Sequence, residues 1–143
     1  MILIDANHLL VYSLHSDMPR HEAARAWLED CLNGKETIGL SWSVILAVLR
    51  LTTNERLFPS ALPVEQALAV VEGWLQHPLV VLISPGPDHW HTLATLLRDA
   101  GMGGNLTPDA HLAALAMEHG GTVYSCDADF RRFPGLRFRN PLC

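Results

Sequence analysis

The stretch Thr122–Phe130 reads TVYSCDADF. Four residues suited to a buried strand run into Asp127 and Asp129, which are separated by one small residue. Two negative charges at the end of a buried strand have two readings. They can form an Asx-turn and cap a short helix, or they can hold a cation.

On either side of this stretch the chain punctuates itself. Gly120-Gly121 closes a helix that Thr107 and Pro108 open, with Asp109 in its first turn. After the strand, Asp127–Phe133 reads as one short helical turn, and Leu136–Phe138 as a last, edge strand. Toward the N-terminus, Asp88–Ala100 is amphipathic and GMGGN (Gly101–Asn105) is a loop. LVVLIS (Leu79–Ser84) is a strand, and Pro63–Gln76 a helix carrying Val64, Ala67, Leu68, Val71 and Leu75 on one side. TNERLFPSALP is a loop, and a helix capped by Ser41 or Ser43 runs to about Thr53. Thr37–Leu40 is a short strand. Pro19 opens a helical pattern that Asn33-Gly34 stops. Met1–Asp5 is a short apolar run fit for a fully buried strand, with Asn7 placed to cap a following helix, HLLVYSLH. Strands that are continuous apolar runs and alternate with helices predict a parallel sheet covered on both faces.

Size and composition agree with one domain spanning residues 1–143. The chain has 143 residues, of which 49% are hydrophobic and 17% charged, enough to bury a core. No run of eighteen or more apolar residues occurs, so no membrane association is expected. MILIDANHLL lacks a basic n-region and meets Asp5, unlike a signal peptide. Cys31, Cys126 and Cys143 match neither a zinc pattern nor a disulfide framework, so a reduced, cytoplasmic setting is expected. A net charge of −5, from ten basic and fifteen acidic residues, argues against a passive nucleic-acid binder but not against an enzyme with an acidic site.

Open α/β sheets place their sites at the carboxyl ends of the strands. Asp5 ends the first strand, Asp127 the strand at 122–125, Asp129 follows, and Asp109 lies in a helix just before that strand. Each acid alone has an ordinary explanation as a helix start, a macrodipole partner or a cap. Their convergence does not: like charges about 5 Å apart repel by roughly 3 kcal/mol at an effective dielectric near 20. The chain has one lysine, Lys35, and no basic residue adjacent to any of these aspartates. Oxygen-only ligands point to Mg²⁺ or Mn²⁺ rather than zinc. Such ions suit phosphodiester chemistry, because they acidify a water and stabilise charge on the phosphate.

The runs MILIDAN, LTPDAHLAALA and SCDADFRRFPGL, with the NERLFP loop and the terminal RNP, resemble the PIN domain, most closely the VapC-type toxin ribonucleases of bacterial toxin–antitoxin pairs. The resemblance covers nearly the whole chain. It implies a three-layer α/β/α fold with a mostly parallel five-stranded sheet. It implies a Mg²⁺- or Mn²⁺-dependent endoribonuclease acting on structured RNA such as tRNA or rRNA, usually a homodimer, silenced by a VapB-type antitoxin. By position, Asp5, Asp109 and Asp127 match the family's metal-site acids and Asp129 a variable helper. Asn7 and Ser125 match polar residues that support the site.

One position departs from the pattern. The family carries a glutamate on the helix after the second strand, ahead of the NERLF-like loop. Here the segment is SWSVILAVLR, and Ala47 takes the place of the acid. No other acidic residue lies between Ser41 and Asn54. Weaker metal binding and slower cleavage are expected, whether Ala47 is natural or introduced to spare the expressing cell. Arg131, Arg132 and Arg50 are candidates for contacts with the RNA backbone.

Other features read as structure. His89 and His91 are two apart, so on a helix they diverge, and a helix surface is expected for both. His111 and His119 lack an evident partner, although His111 is close enough to Asp109 for a supporting role. Cys126 has no neighbouring histidine to make it a nucleophile. The four tryptophans read as core or interface anchors. The apolar faces of helices 19–33 and 43–53 serve either the core or a groove for a dimer partner or antitoxin. Among other functions, a non-catalytic module that binds antitoxin or RNA is the main alternative, favoured by Ala47. A phosphoacceptor receiver would need an acid where LVVLIS ends in Ser84, and a late lysine. An Asp-x-Asp phosphatase would carry that motif after the first strand, not the last.

Overall fold

The computed structural model describes residues 1–142, so Cys143 lies outside the described residues. Five short strands form one sheet: β1 (Ile2–Ile4), β2 (Ile38–Ser41), β3 (Val80–Ile83), β4 (Thr122–Tyr124) and β5 (Phe138–Arg139). Their order is β3-β2-β1-β4-β5, and every pairing is parallel, which sharpens the expectation of a mostly parallel sheet. The expected strand at 136–138 forms at the edge, displaced by about two residues, where it meets only β4.

The helices are α1 (His21–Leu32), α2 (Trp42–Thr52), α3 (Val64–Gln76), α4 (His89–Ala100) and α5 (Leu106–His119). A π-helical segment, Ala6–Val11, follows β1, and a 3₁₀ turn, Ala128–Arg132, follows β4. Ile4, Ile38, Leu40 and Val80 on one sheet face meet Leu10 of the π-helical segment, Leu28 and Leu32 of α1, and Trp74 of α3 around a small apolar cavity. α4 and α5 cover the opposite face, completing the three layers. α5 buries Ala110, Leu112, Ala113, Ala114, Leu115 and Ala116, so it is enclosed on almost every side.

Local chemistry explains the boundaries. Ser41 ends β2 and caps α2 by accepting from the Val44 N–H at 3.3 Å. Gly120 adopts φ 65° to terminate α5, a left-handed conformation that favours glycine. At Gly121 a Cβ would collide with the Leu3 side chain and crowd the Met1 carbonyl, so only glycine lets β4 close on β1.

The first helical segment differs from its expectation. It begins at Ala6 and is capped by Asp5, whose Oδ1 accepts from the Ala6 N–H at 2.8 Å. Asn7 therefore sits inside the first turn, with its side chain exposed, and is not the cap. The apolar excess of the two helices also divides. α1 spends its apolar side on the core, where Ala24 and Leu28 are buried. α2 leaves Trp42 55% and Leu46 60% exposed.

Candidate metal centre

Chain order runs outward from β1 in two directions: to β2 and β3 on one side, and to β4 and β5 on the other. The switch point therefore lies between the carboxyl ends of β1 and β4, where α/β sheets open a crevice. Asp5 stands at one lip, with its N–H donating to the Tyr124 carbonyl at 3.0 Å. Ser125 stands at the other, 1% exposed.

Ser125 joins the two lips. Its Oγ donates to Asp5 Oδ2 at 2.7 Å and accepts from the Asp127 N–H at 2.9 Å. Asp127 Oδ1 in turn accepts from the Asp129 N–H at 2.9 Å and caps the 3₁₀ turn. Asp127 caps as its ordinary reading has it, Asp5 caps the helix it was expected only to start, and each cap uses only part of a carboxylate. Asp109 arrives from the first turn of α5. Oxygens of Asp109, Asp127 and Asp129 lie within 4.8 Å of one another.

Electrostatics record the crowding. The Asp109 carboxyl is pushed up from 3.8 to about 7, first by burial and then by the charges of Asp5, Asp127 and Asp129. Burial also raises Asp5, and Asp127 adds to that, while hydrogen bonds from Ser125 and Ala6 and the proximity of His8 oppose it. Carboxylates that hold protons so tightly are short of positive charge. The donor set is all oxygen and fits a hard divalent cation.

Two sequence expectations need correction here. Asp129 does have a cationic neighbour: Arg132 Nε reaches Asp129 Oδ1 at 3.1 Å, one turn along. Arg132 is therefore partly committed to the cluster, whereas Arg131 is exposed at the same turn. Cys126 does have a histidine in its surroundings, since His8 lines the same cleft. His8 is a site residue that the sequence reading missed. Its signal was its position three residues after Asp5, in the helical segment that Asp5 caps.

Ala47, which takes the place of the expected glutamate, lies beside two of the acids. It lines a cleft with Asp5, Ala6, Ser43, Val44, Pro108, Asp109 and Leu112, about 310 Å³ of empty space counted out to solvent. Arg50 is exposed one turn further along α2. The Asn7 side chain makes no hydrogen bond with the described residues.

The histidines of α4 and α5 also depart from expectation. His91 is exposed as foreseen, but His89 is half-buried. His89 Nδ1 meets Glu118 Oε1 at 2.7 Å, and its Nε2 meets His111 Nδ1 at 2.9 Å. His111 thus has a partner, and that partner is His89 rather than Asp109. Glu118 Oε2 accepts from the Gly86 N–H at 3.0 Å, and His119 Nε2 meets the Ser84 carbonyl at 3.0 Å. These contacts fasten α4 and α5 to the loop after β3. Of the tryptophans, Trp27 packs on Tyr124 and Trp74 on the core, while Trp42 and Trp90 are exposed.

A parallel α/β/α domain with acids gathered at its switch point has its candidate site where open α/β sheets carry theirs. The PIN domain family model matches residues 2–136. Ribonuclease VapC37 of Mycobacterium tuberculosis (strain ATCC 25618 / H37Rv) is 42% identical over 141 residues, covering 99% of this chain and 97% of that protein. Ribonuclease VapC33 of Mycobacterium tuberculosis (strain CDC 1551 / Oshkosh) is 38% identical over 142 residues, covering 99% of both. The chain belongs to the PIN-domain family, and its curated relatives are of VapC type. In fold it resembles VapBC2 from Rickettsia felis, solved bound to a promoter DNA fragment, with a TM-score of 0.69 at 20% identity over 98% of each chain. It also resembles FitAB bound to an IR36 DNA fragment, with a TM-score of 0.71 at 19% identity over 100% of this chain and 96% of that one. No helix among the described residues is long and apolar enough to cross a membrane.

Proposed function

We propose that this chain is a divalent-metal-dependent endoribonuclease, the toxin of a toxin–antitoxin pair. The observation that carries the reading is the convergence of Asp5, Asp109, Asp127 and Asp129 from three remote segments, with Asp109 pushed up to about 7. Asp5, Asp109 and Asp127 are the proposed ligands for Mg²⁺ or Mn²⁺, and Asp129 the helper. A divalent ion bound there would polarise the phosphate and acidify a water. The chain's own residues do the rest. Ser125 fixes the separation of Asp5 and Asp127 through its two hydrogen bonds. Asp5 keeps its orientation through Ala6 and Ser125, so little reorganisation accompanies ion binding. Arg131 and Arg50 are proposed to meet the RNA backbone. Arg132 divides its charge between Asp129 and the substrate.

The ribonuclease names of VapC37 and VapC33 support the activity. The toxin–antitoxin complexes among the structures of like fold support a VapB-type partner. Structured RNA, tRNA or rRNA, is the proposed substrate class, a second copy of the chain the proposed dimer partner, and the cytoplasm the proposed setting. Ala47 favours a second reading, in which the molecule binds antitoxin or RNA without cutting. On the first reading, Ala47 weakens the ion site because one oxygen donor is absent from the cleft shared with Asp5 and Asp109.

RNA cleavage by the chain and by Ala47→Glu, each with Mn²⁺ and with EDTA, tests both readings. Metal-dependent cleavage that rises in Ala47→Glu supports the nuclease. No cleavage by either protein, with RNA still bound, supports the non-catalytic module.

A further inference from the structure

Beside the carboxylates lies a second, wider cleft that the proposed chemistry does not use. It is lined by His8, Tyr12, Met18, Pro19, Arg20 and Cys126 and has a volume of about 420 Å³. That falls within the roughly 300–1,000 Å³ of sites that hold small organic ligands. Two of its residues join it to the acids. Cys126 immediately precedes Asp127, and His8 is near enough to Asp5 to favour its charged form.

The cleft offers ring faces. His8 and Tyr12 stand edge to face, with centroids 4.9 Å apart and planes at 71°. The Tyr12 backbone is fixed from across the cleft, because its carbonyl meets His21 Nδ1 of α1 at 2.8 Å. The Tyr12 hydroxyl and the Arg20 guanidinium make no hydrogen bond or ion pair with the described residues. No carboxylate lines the cleft, although the neighbouring site is crowded with them. Half-buried aromatic rings, a thioether and proline at the rim, and an uncommitted guanidinium beside a phosphodiester site match one kind of occupant. A base stacks on a ring, and arginine takes the adjoining phosphate. A purely apolar peptide would leave Arg20 and His8 without partners.

Resting on the ribonuclease reading, we propose that this cleft seats the nucleobase next to the scissile phosphate of unpaired RNA, stacked on Tyr12 with His8 meeting it at a steep angle, and with Arg20 on the adjacent backbone. A base inside a helix cannot present its face to such a ledge, so the geometry selects loops, bulges and single strands.

Fluorescence anisotropy on the full chain tests the assignment with two probes: a mixed-sequence single-stranded RNA hexamer and a ribose-phosphate hexamer of equal charge without bases. Tyr12→Leu is expected to weaken binding of the RNA hexamer by about 5- to 150-fold, and His8→Ala, made independently, to weaken it less. The base-free hexamer should be unaffected by both, and Tyr12→Phe should retain RNA affinity. Arg20→Ala should weaken both probes alike and lower the salt dependence. Equal losses on the two probes, or no loss on either, would overturn the base-seating assignment while leaving the nuclease reading intact. Failure of the parent chain to bind the RNA hexamer would likewise overturn the base-seating assignment, while Mn²⁺-dependent RNA cleavage tests the nuclease reading separately.

Discussion

Asp109→Asn removes one charge from the crowded cluster while keeping the shape of the side chain. In the metal-free protein the Asp109 carboxyl titrates at about 7 instead of 3.8. A pKa raised by folding means that the folded protein binds the proton more tightly than the unfolded chain. The cost of the charge is therefore absent at low pH, grows as pH rises between 3.8 and about 7, and is constant above that. About three pH units at about 1.4 kcal/mol each set an upper limit of about 4 kcal/mol. The site is only half-buried, and solvent screening lowers the expected effect to about 1–2 kcal/mol. Asn carries none of this cost. With EDTA present, Asp109→Asn should be more stable than the parent by that amount near pH 8, and the difference should vanish toward pH 4. Saturating Mg²⁺ or Mn²⁺ should invert the order, because the ion stabilises only a protein that binds it. Urea unfolding across pH, with and without metal, reads the difference directly. A parent–variant difference that is independent of pH, or a variant less stable without metal near pH 8, would refute the reasoning.

Other changes probe the frame around the site. Ser125→Ala strips Asp5 of a donor and leaves the Asp127 N–H without its acceptor, so equilibrium unfolding should show a loss of about 1–3 kcal/mol. Gly121→Ala forces a methyl group against Leu3 and the Met1 carbonyl, and should cost about 1–3 kcal/mol in the same assay. His15 is 1% exposed, stacked on Phe58 with centroids 3.9 Å apart, and its Nε2 meets Thr52 Oγ1 at 2.6 Å. Burial holds its pKa below 6.5, so the unfolded chain takes up the proton first and stability falls as pH drops below about that value. His15→Gln should flatten that part of the thermal-melting profile. Arg131→Ala and Arg50→Ala should each reduce the salt slope of RNA binding by about 1, and an unchanged slope would remove the residue from the interface.

The parallel layout was legible because the clear strands are short, continuous and mostly apolar runs, while the edge strand β5 is not. The acids at strand ends were legible for the same reason: Asp5 and Asp127 break runs that are otherwise apolar. What escaped is what depends on distance in sequence. Glu118 lies 29 residues from His89 and His89 lies 22 from His111, so no local pattern announces their chain of hydrogen bonds. The Arg132–Asp129 pair is local and followed from helical spacing, but the expectation counted only adjacent residues. Asn7 and Asp5 are both good caps, and the sequence favoured the wrong one, Asn7. The strand register decides between them, since β1 ends one residue before Asp5. Ala47 stood out in the sequence only through the family resemblance, and its place beside Asp5 and Asp109 required the fold.

The central claim is that these carboxylates form a divalent-cation site, and electron paramagnetic resonance of Mn²⁺ mixed with the chain at neutral pH measures it most directly. The account predicts loss of the free-ion signal on adding protein, recovery of that signal on adding excess Mg²⁺, and little binding once Asp109 and Asp127 are both changed to Asn. A full free-ion signal at millimolar protein, or undiminished binding by the doubly substituted chain, would contradict it.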